Sequence, residues 1–309
     1  MKVLLFTHSQ DIDGLGNVLL ASRAFSDLDY ELCKTFEITS KVQSYIDNKK
    51  IYDYDYVYVT DLCVKEPTLS FIDRDKRLKD KFMILDHHKS EIDEGNDKYD
   101  FVNIIVSKNG VKCCGTSLFY EYLVDKGYLI NSDILDEFVE LTRQYDVWDW
   151  KKNNNYQARK MHILFEKLGA DKYISIMNPI LDKEKHIVFS SNEEEIVSKF
   201  NEALEHDITD ILKGMVVKEV TIDEVTYKIG YVYSPYKYRN DINEYVILDN
   251  VNDIDMVGMI MTDMDTVSYR VVKDVDASLV AVYFGGKGHK SAASNPQSNE
   301  LFQSMIQKI

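Results

Sequence analysis

Three times before residue 90 the chain runs a short apolar stretch directly into aspartate and histidine. Lys2–Phe6 leads into His8-Ser9-Gln10-Asp11-Ile12-Asp13, the run VYVT ends at Asp61, and KFMIL ends at Asp86-His87-His88. Compact apolar runs of this kind read as strands buried on both faces, as in a parallel sheet covered by helices. In an open α/β sheet, ligands bind beyond the carboxyl ends of the strands. Three strands would therefore deliver three clusters of carboxylate and imidazole to one rim. Carboxylates crowded together resist common ionisation, and divalent cations remove that cost. Oxygen ligands mixed with imidazole suit Mn²⁺, with Mg²⁺, Fe²⁺ and Co²⁺ as alternatives, and no cysteine lies in the clusters to suggest structural zinc. One Asp between two cations can bridge them at about 3.5–4 Å, the spacing of two-metal hydrolytic centres. Each cluster has a plainer reading by itself: Asp13-Gly14 suits a helix start, and a lone Asp-His-His arises by chance. Three in order, each at a strand end, favour a metal centre.

Segments of helical period separate the strands. Gly14–Phe25, Thr116–Lys126, Asp133–Tyr145 and Gln157–Leu168 each align apolar residues on one face. Further strands are expected at Leu32–Ile38, Asp55–Thr60 and Phe101–Val106. The alternation predicts a doubly wound parallel sheet. Ser191-Asn192-Glu193-Glu194 has the form of a capping box and opens a helix that closes at Gly214. Beyond it the texture changes. Val216–Ile222, Val225–Tyr233, Tyr245–Leu248, Met256–Met261 and Thr266–Val272 are strand-like, with little helix between them. The expected organisation is a first α/β domain over 1–190, a connecting helix over 191–214 and a smaller mixed-sheet α/β domain over 215–309.

Charge narrows the partners. With 37 Lys and Arg against 52 Asp and Glu, the net charge is −15, a field that repels long nucleic acid. A small anionic substrate held by a local cationic cluster stays compatible with it. No apolar run approaches the ~18–20 residues of a membrane helix, and the N-terminus lacks a signal-peptide core. Cys33, Cys63, Cys113 and Cys114 form no C-x-x-C pair and read as buried or half-buried thiols in a reducing cytoplasm. His162, His186 and His206 read as surface residues.

The segments THSQDIDG, TDL and DHH resemble the first three motifs of the DHH phosphoesterase superfamily. GTSLFYEYL followed by RQYDVWDW resembles the nano-RNase B branch, and SYR followed by FGGKGHKSAAS resembles the substrate-binding signature of a C-terminal DHHA1 domain. The likeness spans nearly the whole chain. It implies that His8 and Asp11 hold one metal, that Asp13, His87 and Asp146 hold the other, and that Asp61 bridges the two. Asp86 then orients its neighbours or adds a ligand, while His88 contacts the scissile phosphate and protonates the leaving oxygen. Arg270 and His289 contact phosphate and nucleotide, and Gly285, Gly286 and Gly288 let backbone N–H groups approach an anion. Trp148 and Trp150, beside Asp146, read either as base-stacking platforms or as core anchors.

The resemblance implies an active site in the cleft between the two domains, and hydrolysis of very short oligonucleotides with two divalent cations, Mn²⁺ foremost. A 3′-phosphatase activity on 3′,5′-bisphosphoadenosine comes with it. A cyclic mononucleotide or dinucleotide phosphodiesterase and a weakened nucleotide sensor are the alternatives. Monomer and homodimer both remain open. Lys287 and Ser294 depart from the family's glycine-histidine pattern, and the spacing of the first motif differs by a residue from that of near relatives.

Overall fold

A computed structural model describes residues 1–249 and 253–306, with the backbone alone at 248 and 249. The chain divides into two compact units, Met1–Ser198 and Lys199–Ile309. In the first, strands β1 (Lys2–His8), β2 (Asp27–Cys33), β3 (Tyr56–Thr60), β4 (Phe82–Asp86) and β5 (Val102–Ile104) form one sheet in the order β2-β1-β3-β4-β5. Every pairing is parallel. Val3–Thr7 of β1 and Val57–Thr60 of β3 are buried throughout, as continuous apolar strands in a covered parallel sheet must be.

Helices lie on both faces. On one, Ile38, Val42 and Ile46 of α2 (Ile38–Asp47) and Leu69 and Ile72 of α3 (Thr68–Arg74) pack on Leu4, Phe6, Val57, Val59 and Ile84. On the other, Tyr58 meets Phe119 of α4 (Gly115–Asp125), and α4 packs on α1 (Ile12–Ala24). Helices α5 (Asp133–Asp146), α6 (Tyr156–Leu168) and α7 (Ala170–Lys183) also belong to this unit. The strand order reverses between β1 and β3, so the crevice expected of such a sheet opens at the carboxyl ends of these two strands.

Helix α8 (Ser191–Lys213) leads into the second unit. There β6 (Val216–Ile222), β7 (Val225–Ser234), β8 (Met256–Met261), β9 (Val267–Val271), β10 (Lys287–His289) and β11 (Ala292–Asn295) form a sheet in the order β10-β11-β9-β8-β7-β6. Only β7 and β8 pair in parallel; the other pairings are antiparallel. Ala277, Val280 and Ala281 of α10 (Ala277–Tyr283) and Phe302 of α11 (Glu300–Ile306) cover one face. Leu204 and Ile208 of α8 and Ile242 and Val246 of α9 (Arg239–Asp249) cover the other. No helix among the described residues is long and apolar enough to cross a membrane.

Three local expectations need correction. The second strand is Asp27–Cys33, not Leu32–Ile38; it is an edge strand whose Asp27, Asp29 and Glu31 disguise it, and Ile38 begins α2. Tyr245–Leu248 lies in α9 rather than a strand, because Ile242 and Val246 bury one helical stripe four residues apart. The cap of α8 sits one residue early. Glu194 N–H donates to the Ser190 carbonyl at 3.0 Å, and Ser190 N–H donates to the Glu193 carboxylate at 2.9 Å.

Candidate functional site

Strand β1 ends at His8, and Asp11 then starts α1. Asp11 Oδ1 accepts the Gly14 N–H at 3.0 Å, while Oδ2 lies 2.8 Å from His8 Nδ1. One carboxylate thus caps a helix and fixes an imidazole. Burial, the largest single influence, works against the charged form of each. Their mutual hydrogen bond and charge attraction, with further help from neighbouring groups, together outweigh it, so His8 sits above its ordinary pKa and Asp11 below. His8 Nε2 is buried with no hydrogen-bond partner.

Asp13, on the first turn of α1, is fully buried. Its Oδ2 accepts the N–H of Gly115 at 2.6 Å and its Oδ1 that of Thr116 at 2.7 Å. These are the first amides of α4, whose positive end therefore rests on this carboxylate. A Cβ at Gly115 would lie 2.5 Å from Asp61 Cβ and 3.0 Å from Asp13 Oδ2. Only glycine permits so close an approach.

Asp61 follows β3 with φ of 59°, a left-handed backbone uncommon outside glycine. Its N–H donates to Leu85 at 2.9 Å, which ties it to β4. Oδ1 stands 3.2 Å from His87 Nε2, and Oδ2 is buried without a hydrogen-bond partner, 3.7 Å from His8 Nδ1. Burial, then the neighbouring charges of Asp13, Asp11 and Asp146, push its carboxyl well above the carboxylate range. His87 Nε2 also lies 3.6 Å from Asp146 Oδ2, and burial lowers the His87 pKa. Asp146, the last residue of α5, is pushed up to about 8 by burial and by Asp13 and Asp11.

Asp86 closes β4. Its Oδ1 accepts the His87 N–H at 2.7 Å and lies 2.7 Å from His88 Nδ1. That hydrogen bond holds His88 up at about 9. Burial would raise Asp86, but His88 outweighs it and the carboxyl stays below its usual value. His88 is half exposed and has its second ring nitrogen left for another partner.

Ligand atoms within 4.8 Å of one another fall into three overlapping groups: His8, Asp11 and Asp61; Asp13, His87 and Asp146; and Asp61, Asp86, His87 and His88. The orphaned buried atoms of His8 and Asp61, and two carboxylates driven toward protonation, are what divalent cations would satisfy. The donor set of oxygen and imidazole fits them.

Other side chains near the centre fall differently from expectation. His162, read as a surface residue, stacks on Tyr145 with ring centroids 4.3 Å apart, and its Nδ1 is buried without a partner. Burial lowers it to about 4, against the opposing pull of Asp11, so a neutral imidazole stands beside the cluster. No motif marks it; only tertiary packing brings α6 there. His186 and His206 are exposed. Trp150 is buried as a core anchor, whereas Trp148 is 44 % exposed. All four cysteines are buried and free.

In the second unit a cavity of about 760 Å³ is lined by Tyr236, Arg239, Arg270, Lys287, Gly288 and His289, among others. Burial, then the charge of Arg239, lowers the Arg270 pKa. Two residues expected at an anion lie outside this lining. Gly285 N–H donates to Val282 and Gly286 N–H to Ala281, so both amides are consumed in ending α10. Gly286 instead permits close packing, since a Cβ there would lie 2.0 Å from the Ser294 carbonyl. Lys287, a departure from the glycine pattern, contributes a cation to the cavity. Arg239 and Tyr236 were not foreseen, because nothing local distinguishes them from other surface residues.

A model of the DHH family N-terminal domain matches residues 2–142. The chain is 26% identical over 305 residues to oligoribonuclease NrnB of Bacillus subtilis, covering 98% of this chain and 74% of that protein. Among solved structures it resembles exonuclease RecJ bound to manganese, at 11% identity and TM-score 0.57 over 99% of this chain and 88% of that one. It also resembles the pGpG-specific phosphodiesterase PggH from Vibrio cholerae, at 11% identity and TM-score 0.54 over 100% and 98%. At such identities these two likenesses establish the fold.

Proposed function

We propose that the chain is a member of the DHH phosphoesterase superfamily, in its nano-RNase branch, and a phosphodiesterase that hydrolyses very short oligonucleotides with two divalent cations, Mn²⁺ foremost. The family model over residues 2–142 and the likeness to NrnB support this reading. The observation that carries this reading is the meeting of two ligand groups at Asp61, with buried ligand atoms of His8 and Asp61 left unpartnered. His8, Asp11 and Asp61 would hold one cation, and Asp13, His87, Asp146 and Asp61 the other. Such cations neutralise phosphate charge and lower the pKa of water toward neutrality.

The chain's own groups do the rest. Asp86 orients His88 through the 2.7 Å contact at Nδ1 and keeps it protonated at neutral pH. His88 can therefore donate a hydrogen bond to a phosphate oxygen and a proton to the leaving oxygen. Arg270 and His289 hold substrate phosphate in the second unit. NrnB, by its name an oligoribonuclease, supports the substrate class. The paired guanidiniums of the cavity also favour 3′,5′-bisphosphoadenosine, on which the same groups would act as a 3′-phosphatase. Four free thiols suit a reducing compartment such as the cytoplasm.

The test is substrate length. A net charge of −15 and a cationic cluster confined to one cavity predict kcat/KM highest on dinucleotides, falling steeply with length. They also predict a shallow salt dependence of KM, because few phosphates are contacted. A dinucleotide, a pentanucleotide and a long single strand, each at two salt concentrations with Mn²⁺, decide it. Equal or better activity on the long strand would overturn the nano-RNase reading.

A further inference from the structure

The cavity of the second unit holds more positive charge than one phosphodiester can use. Arg239 and Arg270 both line it, with Lys287 and His289. Among the described residues no carboxylate lines it, and neither arginine pairs with one. Arg270 donates from one terminal nitrogen to the Ser268 hydroxyl and the Tyr269 carbonyl, both at 3.0 Å. These neutral partners orient the guanidinium and leave its charge uncompensated. Arg239 sits over the Tyr236 ring, 3.9 Å from its centroid, a cation–π contact that holds a second guanidinium in the cavity. Two like charges in one cavity are costly in a protein with so many acidic residues to pair with. Burial and Arg239 together depress the Arg270 pKa, which is the same cost seen from the other side.

The chemistry of phosphate says what would offset it. An internal diester carries one charge and offers two non-bridging oxygens. A terminal phosphomonoester carries about −1.5 to −2 at neutral pH and offers three acceptor oxygens. Only the monoester has the oxygens and the charge for two guanidinium forks at once. Resting on the short-oligonucleotide reading, we infer that Arg239 is a specificity-determining residue that, with Arg270, selects substrates ending in a phosphomonoester, so that a phosphorylated dinucleotide is preferred over its unphosphorylated counterpart. The phosphate can stand on the 5′ or the 3′ end; the two differ in source but not in the chemistry recognised.

The experiment compares ApA, pApA and ApAp on the Mn²⁺-loaded full chain, by kcat/KM and by calorimetric Kd. The wild type is expected to favour pApA or ApAp over ApA by about 10–100-fold, the range of one or two charge-assisted contacts. Arg239→Ala should lower kcat/KM on pApA and ApAp by at least ~10-fold more than on ApA, and Arg239→Lys should restore part of the difference. Lys290→Ala is the control, because Lys290 pairs with Asp274 at 2.6 Å and does not line the cavity. A wild type without preference for either phosphorylated form overturns the inference, as does an Arg239→Ala variant that loses ApA and pApA equally. If no dinucleotide is hydrolysed, the nuclease reading falls by itself, and the Kd values still decide whether a terminal phosphate is recognised.

Discussion

Asp146→Asn should stabilise the metal-free protein while abolishing its use of metal. Asp146 lies at the end of α5, 3.6 Å from His87, with its carboxyl pushed from 3.8 to about 8 by burial, Asp13 and Asp11. Between those two values the folded chain holds a proton that the unfolded chain has released. Stability therefore falls as pH rises through this window, and the loss is complete only above the folded value. From about pH 4 to pH 7 the linkage covers roughly three units at ~1.4 kcal/mol each, or ~4 kcal/mol. Relaxation and water entry reduce such penalties, so ~2 kcal/mol is the figure to test. For a domain of this size that corresponds to a Tm rise of roughly 4–8 °C. The assay is thermal unfolding in EDTA at pH 6, 7 and 8. The wild type should lose Tm across that series, and Asp146→Asn should lose less. Mn²⁺ should then stabilise the wild type most at pH 8, where protons compete least, and the variant little. A metal-free wild type whose Tm does not fall between pH 6 and 8, or a variant no more stable than it at pH 7, would refute the crowding argument.

Gly115→Ala should cost about 10²-fold in kcat and weaken Mn²⁺ binding with little change of fold, because the added Cβ would meet Asp61 and Asp13 at 2.5 and 3.0 Å. Metal titration by calorimetry checks it, and wild-type affinity would show that the approach is not tight. His88→Ala should keep both metals but lower kcat by ~10²–10⁴-fold. In the wild type kcat should decline as pH rises through about 9, where His88 loses its proton; the variant should lack that limb, and metal loss by elemental analysis would instead make His88 a ligand.

What the sequence exposes and what it hides differ by distance along the chain. His8, Asp61 and Asp86 follow strands buried on both faces, so the apolar run and its acidic end sit side by side in the sequence. The spacing of His8 to Asp11 is likewise local, one residue capping α1 while binding the other. Gly115 and Thr116 could not be read in this way. They act on Asp13 from 102 and 103 residues away, and a Gly-Thr pair at a helix start has many ordinary uses. His162 joins the site through stacking on Tyr145, a contact without sequence period. The glycine loop misleads for the opposite reason: its pattern suggests open amides, but Gly285 and Gly286 turn theirs back onto α10.

The two sites carry opposite faults, and each fault implies a ligand. In the first unit carboxylates crowd until Asp61 and Asp146 resist ionisation. In the second, two guanidiniums share a cavity without an acidic partner among the described residues. Selection for stability alone would have paired such groups, since a chain with 52 acidic and 37 basic residues has partners enough. A ligand that binds only the folded form stabilises it in proportion to the logarithm of its concentration over Kd. Cations bound at the first site and phosphate at the second would each recover free energy that the unliganded fold lacks. The acidic remainder of the chain would add selectivity by default, since a strand long enough to leave the cavity would enter a repelling field. The proposed length discrimination would thus require no dedicated wall; it would follow from placing a few uncompensated cations in an otherwise negative protein.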